Sequence, residues 1–296
     1  MKAHPELLIG APGEAQHGNK TWWTDHTMSY DWKKKIQERE FSPEWFDEVD
    51  RRFIVSARHF AHADSPFDKI IPFADIRGKR VLEVGCGMGL HTELMARSGA
   101  DVVAIDISSK SVEATRARLG LKSIKAEVIE LDAERLDAVD EFDFIWSWGV
   151  IHHSPRSGLV LRNLFRALKP GKELRFMVYN LEGMQAYTVI VRYLIGFWLG
   201  QSLDELLWKS TDGFLARYFT RDSVTNLCRT FFDEIDVSVF GIEADAVPLP
   251  SRLRSLVISF VSDRYVSRAV HRRGSFLFVK AQKPALCRTL TPPQTV

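Results

Sequence analysis

Two spacings of apolar residues alternate through the middle of this chain. Short runs of strand length recur at 81–84, 101–106, 127–131, 142–148 and 173–179; the first three, Val81-Leu82-Glu83-Val84, Asp101-Val102-Val103-Ala104-Ile105-Asp106 and Glu127-Val128-Ile129-Glu130-Leu131, are rich in β-branched residues. Between them lie helix-length segments, with helical spacing over Leu90–Arg97 and about 156–168. Strands alternating with helices predict βαβ units and an α/β, doubly wound, mostly parallel sheet. Farther on, Val237–Phe240 and Ser275–Lys280 read as strands six and seven, and Thr220 as the N-cap of a helix running to about Phe231.

The flanks differ from this core. Residues 1–20 hold Pro, Gly, His and Gln without periodicity and read as a disordered tail, as does 284–296 at the other end. Residues 21–77 carry four of the chain's eight tryptophans, and Asp47–Phe53 has helical periodicity. Trp22, Trp23 and Tyr30 sit in polar sequence rather than on an amphipathic stripe, which marks them for a ligand-facing surface rather than for padding a sheet. Residues 78–180 form the core and 181–283 the second half, with insertions at 181–219 and 241–273.

The first strand runs into Glu83-Val84-Gly85-Cys86-Gly87-Met88-Gly89, where glycines let the backbone turn sharply and approach a ligand at the N-terminus of the following helix. A dinucleotide site favours Gly-x-Gly-x-x-Gly facing a pyrophosphate. Here the order is Glu-x-Gly-x-Gly-x-Gly, and Glu83 would repel a pyrophosphate while suiting a cationic amino-acid end.

On these residues the chain resembles the class I S-adenosylmethionine-dependent methyltransferases, over about 78–180. The resemblance implies that Glu83, Gly85, Cys86, Gly87 and Gly89 line the methionine part of S-adenosylmethionine, and that Asp106, followed by Ile107, accepts the ribose hydroxyls. It implies that Asp132 and Ala133 contact adenine, and that Trp148, at the end of the fourth strand, also contacts the cofactor ahead of the loop Gly149–Pro155 closing the active site. Leu168-Lys169-Pro170-Gly171-Lys172 ahead of a strand is a further shared element. The expected architecture is therefore a Rossmann-like seven-stranded sheet with an antiparallel last strand, an N-terminal helical lid over 21–77 and helical caps. The expected reaction is methyl transfer to a small-molecule or lipid-like acceptor, at oxygen or carbon. No Asp-Pro-Pro-Tyr-like motif for amino methylation follows strand four. His152 and His153, at the C-terminal edge of the sheet, are the candidates for a general base, with packing beneath the loop as their other reading. Trp22, Trp23, Tyr30 and Tyr179 are the expected acceptor-pocket residues. The rival readings are an NAD(P)-dependent oxidoreductase and a non-catalytic protein that binds the cofactor.

Composition narrows the partners. A net charge of +2 over 296 residues offers no global field for nucleic acid. Cys86, Cys228 and Cys287 are too few and too far apart for a disulfide framework or zinc site, which favours a cytoplasmic protein without a metal. No signal-peptide core precedes Pro5. Between Ser251 and Arg273 six arginines face one acid, Asp263, while Leu253, Leu256, Val257, Phe260 and Val261 share a helical face. Three readings stand: a cap packing that face on the sheet edge, a peripheral contact with an anionic membrane, and a homodimer interface.

Overall fold

The computed structural model describes residues 12–30, 35–196, 207, 210–249 and 251–285. Its core is an eight-stranded sheet: β1 (Arg80–Val84), β2 (Asp101–Asp106), β3 (Glu127–Glu130), β4 (Phe142–Trp148), β5 (Leu168–Asn180), β6 (Tyr218–Phe219), β7 (Glu234–Phe240) and β8 (Phe276–Gln282). The order is β3-β2-β1-β4-β5-β8-β7, with the two-residue β6 beside the end of β5. All pairings are parallel except those of β8, which runs antiparallel to β5 and β7. Seven strands were expected; the eighth, β6, is too short to announce itself in a hydrophobic pattern.

Helix α1 (Pro12–Asp25) precedes α2 (Pro43–Ala57), and α3 (Leu90–Arg97), α4 (Ser109–Leu121) and α5 (Ser157–Ala167) are the crossovers of the parallel half. Val81, Leu82 and Val84 are buried on both faces of the sheet, as helices on each side require. The order reverses between β1 and β4, so the C-terminal ends of β1, β2 and β4 diverge around a crevice where ligands of such sheets bind. The second half adds α6 (Met184–Gly196), α7 (Arg221–Arg229), α8 (Glu243–Ala246), α9 (Ser251–Val257) and α10 (Asp263–Arg273). Thr220 caps α7 as expected, its hydroxyl accepting from Ser223 N–H at 3.0 Å.

Two expectations are corrected. A disordered tail to residue 20 is wrong for 12–20: that stretch is the first half of α1, held by tertiary contacts rather than by its own weak amphipathicity. Residues 1–11, and the expected tail from 286, lie outside the described residues. The stretch 251–261 does not bury its apolar face on the sheet edge, because Leu253, Leu256 and Val257 are exposed and Phe260 is 90% exposed. The inward packing is done by Val266 and Val270 of α10, against Ala246 and Val247. No helix among the described residues is long and apolar enough to cross a membrane.

Candidate active site

The crevice is a cavity of about 470 Å³, walled by the glycine turn, the ends of β2, β4 and β5, and helices α1, α2 and α6. Gly85 has φ +82°, and its N–H donates to Ile105 O at 2.7 Å, locking the turn to β2. A Cβ built on Gly85 would stand 2.1 Å from Val150 Cγ2, so glycine is demanded by both backbone and neighbour.

Asp106 lies at the cavity wall, with one oxygen accepting Gly87 N–H at 3.0 Å and the other Ser108 N–H at 2.9 Å. Each oxygen keeps a lone pair for a second donor, the arrangement a vicinal diol needs. Burial pushes the carboxyl up to about 6, against the pull of those backbone hydrogen bonds. Asp132 caps a short 3-10 turn through Glu134 N–H at 2.9 Å. Cys86, Gly87, Ile107, Asp132, Ala133 and Trp148 also line the cavity.

Glu83 and Gly89 do not reach the wall, a correction to their expected place as lining residues. Glu83 is 1% exposed beneath the turn, where it accepts from the Thr92 hydroxyl and burial pushes its carboxyl up to about 8. Gly89 caps α3 in the left-handed region, φ +79°, against Thr115 and Arg118.

Helix α1 closes one side through a directed chain of amides. Gln16 Nε2 donates to Asp132 at 2.8 Å, and Asn19 Nδ2 donates to Gln16 Oε1 at 3.0 Å and to His153 O at 2.6 Å. Because a carboxylate and a carbonyl can only accept, both amide orientations are determined by their partners. Ser108 Oγ donates to Trp23 O at 3.0 Å, and Lys20 reaches Glu130 at 2.5 Å. Gln16 and Asn19 were not foreseen, since a polar helix before the core gives no period to read; the spacing of three that joins them was the only available signal.

Helix α2 is held by a second device. Arg118, fully buried on α4, donates to Glu93 of α3 at 2.6 Å and to Asp50 of α2 at 2.9 Å, with its guanidinium over Phe46. One cation thus ties α2 to the helix that follows the glycine turn.

The other end of the cavity is aromatic: Tyr30, Phe53, Phe60, Trp148, Tyr179 and Phe276 line it, with Gln185, Ser210 and Asp212 at its polar edge. Burial and the charge of Asp212 raise the phenols of Tyr30 and Tyr179, so both are neutral donors at ordinary pH. His91 also lines this region; its Nδ1 accepts from the Trp146 indole at 3.1 Å, and burial holds the ring neutral, near 3. Its ring proton therefore sits on Nε2.

The expected residues separate on inspection. Trp23, Tyr30 and Tyr179 meet at the cavity, whereas Trp22 lies off its wall and stacks on His26 at 4.2 Å. Of the histidine pair, His153 lines the cavity, Nδ1 against Leu215 O at 2.5 Å and ring edge-on to Trp23. That carbonyl places the neutral ring's proton on Nδ1 and makes Nε2 the basic nitrogen. His152 is wholly buried beneath, packed between His153 and Tyr179, where burial drives its pKa well below the usual value. It does not meet the cavity.

Comparison with known proteins agrees with this geometry. Residues 81–171 match the family described as methyltransferase domain. The ubiquinone biosynthesis O-methyltransferase of Bordetella avium is 35% identical over 108 residues, which is 36% of this chain and 44% of that protein. The protein of the same name from Xanthomonas oryzae pv. oryzae is 35% identical over 123 residues, 40% of this chain and 52% of that one. The chain therefore spans about half the length of the curated relatives it matches. A crystal structure from Bacillus halodurans, provisionally assigned as a methyltransferase, superposes with a TM-score of 0.50 at 18% identity, covering 74% of this chain and 98% of that one. Residues 81–171, which include the glycine turn, are thus similar to a methyltransferase domain, and the sheet around them has the fold of that solved structure. The matched segment carries the glycine turn, Asp106 and Asp132; the aromatic end of the cavity is built in part by residues outside it.

Proposed function

We propose that the chain transfers a methyl group from S-adenosylmethionine to oxygen or carbon of a small, uncharged, aromatic or lipid-like acceptor. The observation that carries this is a single cavity with Asp106 and the glycine turn at one end and an aromatic box at the other. When bound, the cofactor supplies an electrophilic methyl group on sulfur. The protein's part is to hold the acceptor in line with that methyl group, exclude water and, for a hydroxyl, accept its proton.

Asp106 would hold the ribose hydroxyls, and Asp132 the adenine edge. The box would orient an acceptor ring by stacking and edge contacts. No lysine or arginine stands among the described residues of the wall, which leaves an anionic acceptor without a counter-charge. The same lack weighs against a pyrophosphate cofactor, which would meet Asp106 and Asp132 instead of a cation. His153 Nε2 is the candidate base, since His153 lines the cavity and His152 does not. Relatives that bear the name ubiquinone biosynthesis O-methyltransferase favour oxygen as the accepting atom. The buried thiols of Cys86 and Cys228 fit a reducing, cytoplasmic setting.

Calorimetry with S-adenosylhomocysteine, NADH and NADPH tests the cofactor. Only the first should bind, and Asp106→Ala should weaken it by about 1.5–3 kcal/mol. Transfer of labelled methyl from S-adenosylmethionine to a panel of phenols, with carboxylated counterparts, tests the acceptor. Preferential labelling of the carboxylated set would refute an uncharged acceptor.

A further inference from the structure

The exposed apolar residues of this protein are concentrated on one region. Among the described residues, ten of the thirteen large hydrophobic side chains that stand exposed fall between Tyr187 and Tyr265, on α6 and the α8–α10 cap. Helix α6 presents Tyr187, Val191, Leu194 and Ile195, the last 77% exposed, while Ala186 and Val189 on its other side are buried. In the cap, Leu253, Leu256, Val257 and Phe260 are exposed at helical spacing along α9 and the 3-10 turn after it. Single exposed hydrophobics are ordinary; a concentration on adjoining elements marks a contact surface.

Charge accompanies it. Arg264, Arg268 and Arg272 follow one another at intervals of four along α10 and are exposed, opposite the face that buries Val266 and Val270. Arg252 and Arg273 are exposed as well. None of these five arginines makes an ion pair among the described residues. A shallow depression lined by Glu182, Met184, Tyr187, Arg272 and Arg273 joins the start of α6 to the end of α10, so these two elements of the surface adjoin there.

We infer that this side docks on an anionic lipid bilayer, with Leu253, Leu256, Val257 and Phe260 entering the acyl boundary and the arginines meeting lipid phosphates. An amphipathic surface of apolar and arginine side chains suits such an interface, where long cationic stems also lie along apolar surface. A symmetric second copy suits it less, because a two-fold contact would set arginine against arginine with Asp263 the only acid between Ser251 and Arg273. The placement also serves the cavity: Gln185 at the start of α6 and Ile242 just before α8 belong to its wall. The docked elements thus border the acceptor end, where a lipid-like acceptor would enter from the bilayer.

The test is co-sedimentation of the full chain with vesicles of phosphatidylglycerol and phosphatidylcholine, beside pure phosphatidylcholine, at about 0.1 M salt. Binding is expected to the anionic vesicles. It should fall roughly a hundredfold in Arg264→Ala/Arg268→Ala/Arg272→Ala and roughly tenfold or more in Leu256→Ser/Phe260→Ser. Both variants alter exposed side chains, so thermal unfolding and S-adenosylhomocysteine affinity should match the parent; a failed cofactor assignment would show in that affinity and leave the vesicle result standing. Absence of vesicle binding would overturn the inference, as would equal binding to neutral vesicles or retention by both variants. A dimer in sedimentation equilibrium that Leu256→Ser/Phe260→Ser splits, without vesicle binding, would assign the surface to a second copy.

Discussion

Replacing Gly85 by alanine should couple the glycine turn to the loop after β4 in a way that can be measured. The new Cβ incurs two costs. At φ +82° an L-residue is in the left-handed region, a penalty of roughly 1–2 kcal/mol. The Cβ would also stand 2.1 Å from Val150 Cγ2, and the hydrogen bond from Gly85 N–H to Ile105 O keeps the turn from moving aside. Val150 is β-branched and stiff at χ1, so relief requires a backbone shift, an overpacking cost of about 1–3 kcal/mol. Gly85→Ala should therefore lose about 2–5 kcal/mol in urea unfolding and weaken S-adenosylhomocysteine, since Gly85 and Val150 both line the cavity. Val150→Ala removes Cγ2 and leaves Cβ as the nearer remaining atom, at 3.4 Å, an ordinary contact. In a double-mutant cycle Gly85→Ala should then be milder by about 1–3 kcal/mol in the Val150→Ala background, with the left-handed penalty remaining. An additive cycle would refute the steric argument, and a Gly85→Ala protein as stable as the parent would refute both parts.

Because burial raises Asp106 to about 6, and ribose hydroxyls bound as proposed would favour its ionised form, S-adenosylhomocysteine affinity should climb between pH 5 and 7 and stay flat in Asp106→Asn, as read by calorimetry. Glu83 has a folded pKa raised from 4.5 to about 8, so its stabilising share is complete below 4.5 and is lost as pH rises towards 8. Denaturant midpoints should show Glu83→Gln gaining on the parent across that interval; parallel curves would refute the burial of an ionisable group. Asn19→Leu breaks the bonds to His153 O and Gln16 and should speed tryptic cleavage at Lys20, with S-adenosylhomocysteine slowing cleavage in the parent more than in the variant. Equal cleavage in all four samples would show that α1 is not a lid.

Much of the parallel half of the sheet and its glycine turn was legible in the residues themselves. A buried parallel strand needs an unbroken apolar run and a turn at φ above zero needs glycine; local rules of this kind placed Gly85 and Gly87 without a structure, while Asp106 was picked out by the family resemblance. Glu83 shows their limit. Its position in the motif was plain, but whether its carboxylate faced the ligand or Thr92 depended on how α3 packs behind the turn.

Helix α1 was missed because its stability is not local. A Gly-containing segment of weak amphipathicity is helical here through the bonds of Gln16, Asn19 and Lys20 to residues more than a hundred positions away. Tertiary packing likewise divides the histidine pair: adjacent in sequence, they part on a 3-10 turn that leaves His153 at the cavity and buries His152 beneath it. The arginine-rich cap reverses the usual reading, for its apolar spacing was visible but packing left those side chains outside, since Val266 and Val270 already cover the space against α8. Sequence alone determined the seven longer strands and the glycine turn, because each rests on steric or hydrogen-bonding rules that act within a few residues. Tertiary packing decided which helices close the cavity, which histidine meets it and which apolar face is left for a partner, because burial depends on what the rest of the chain brings alongside.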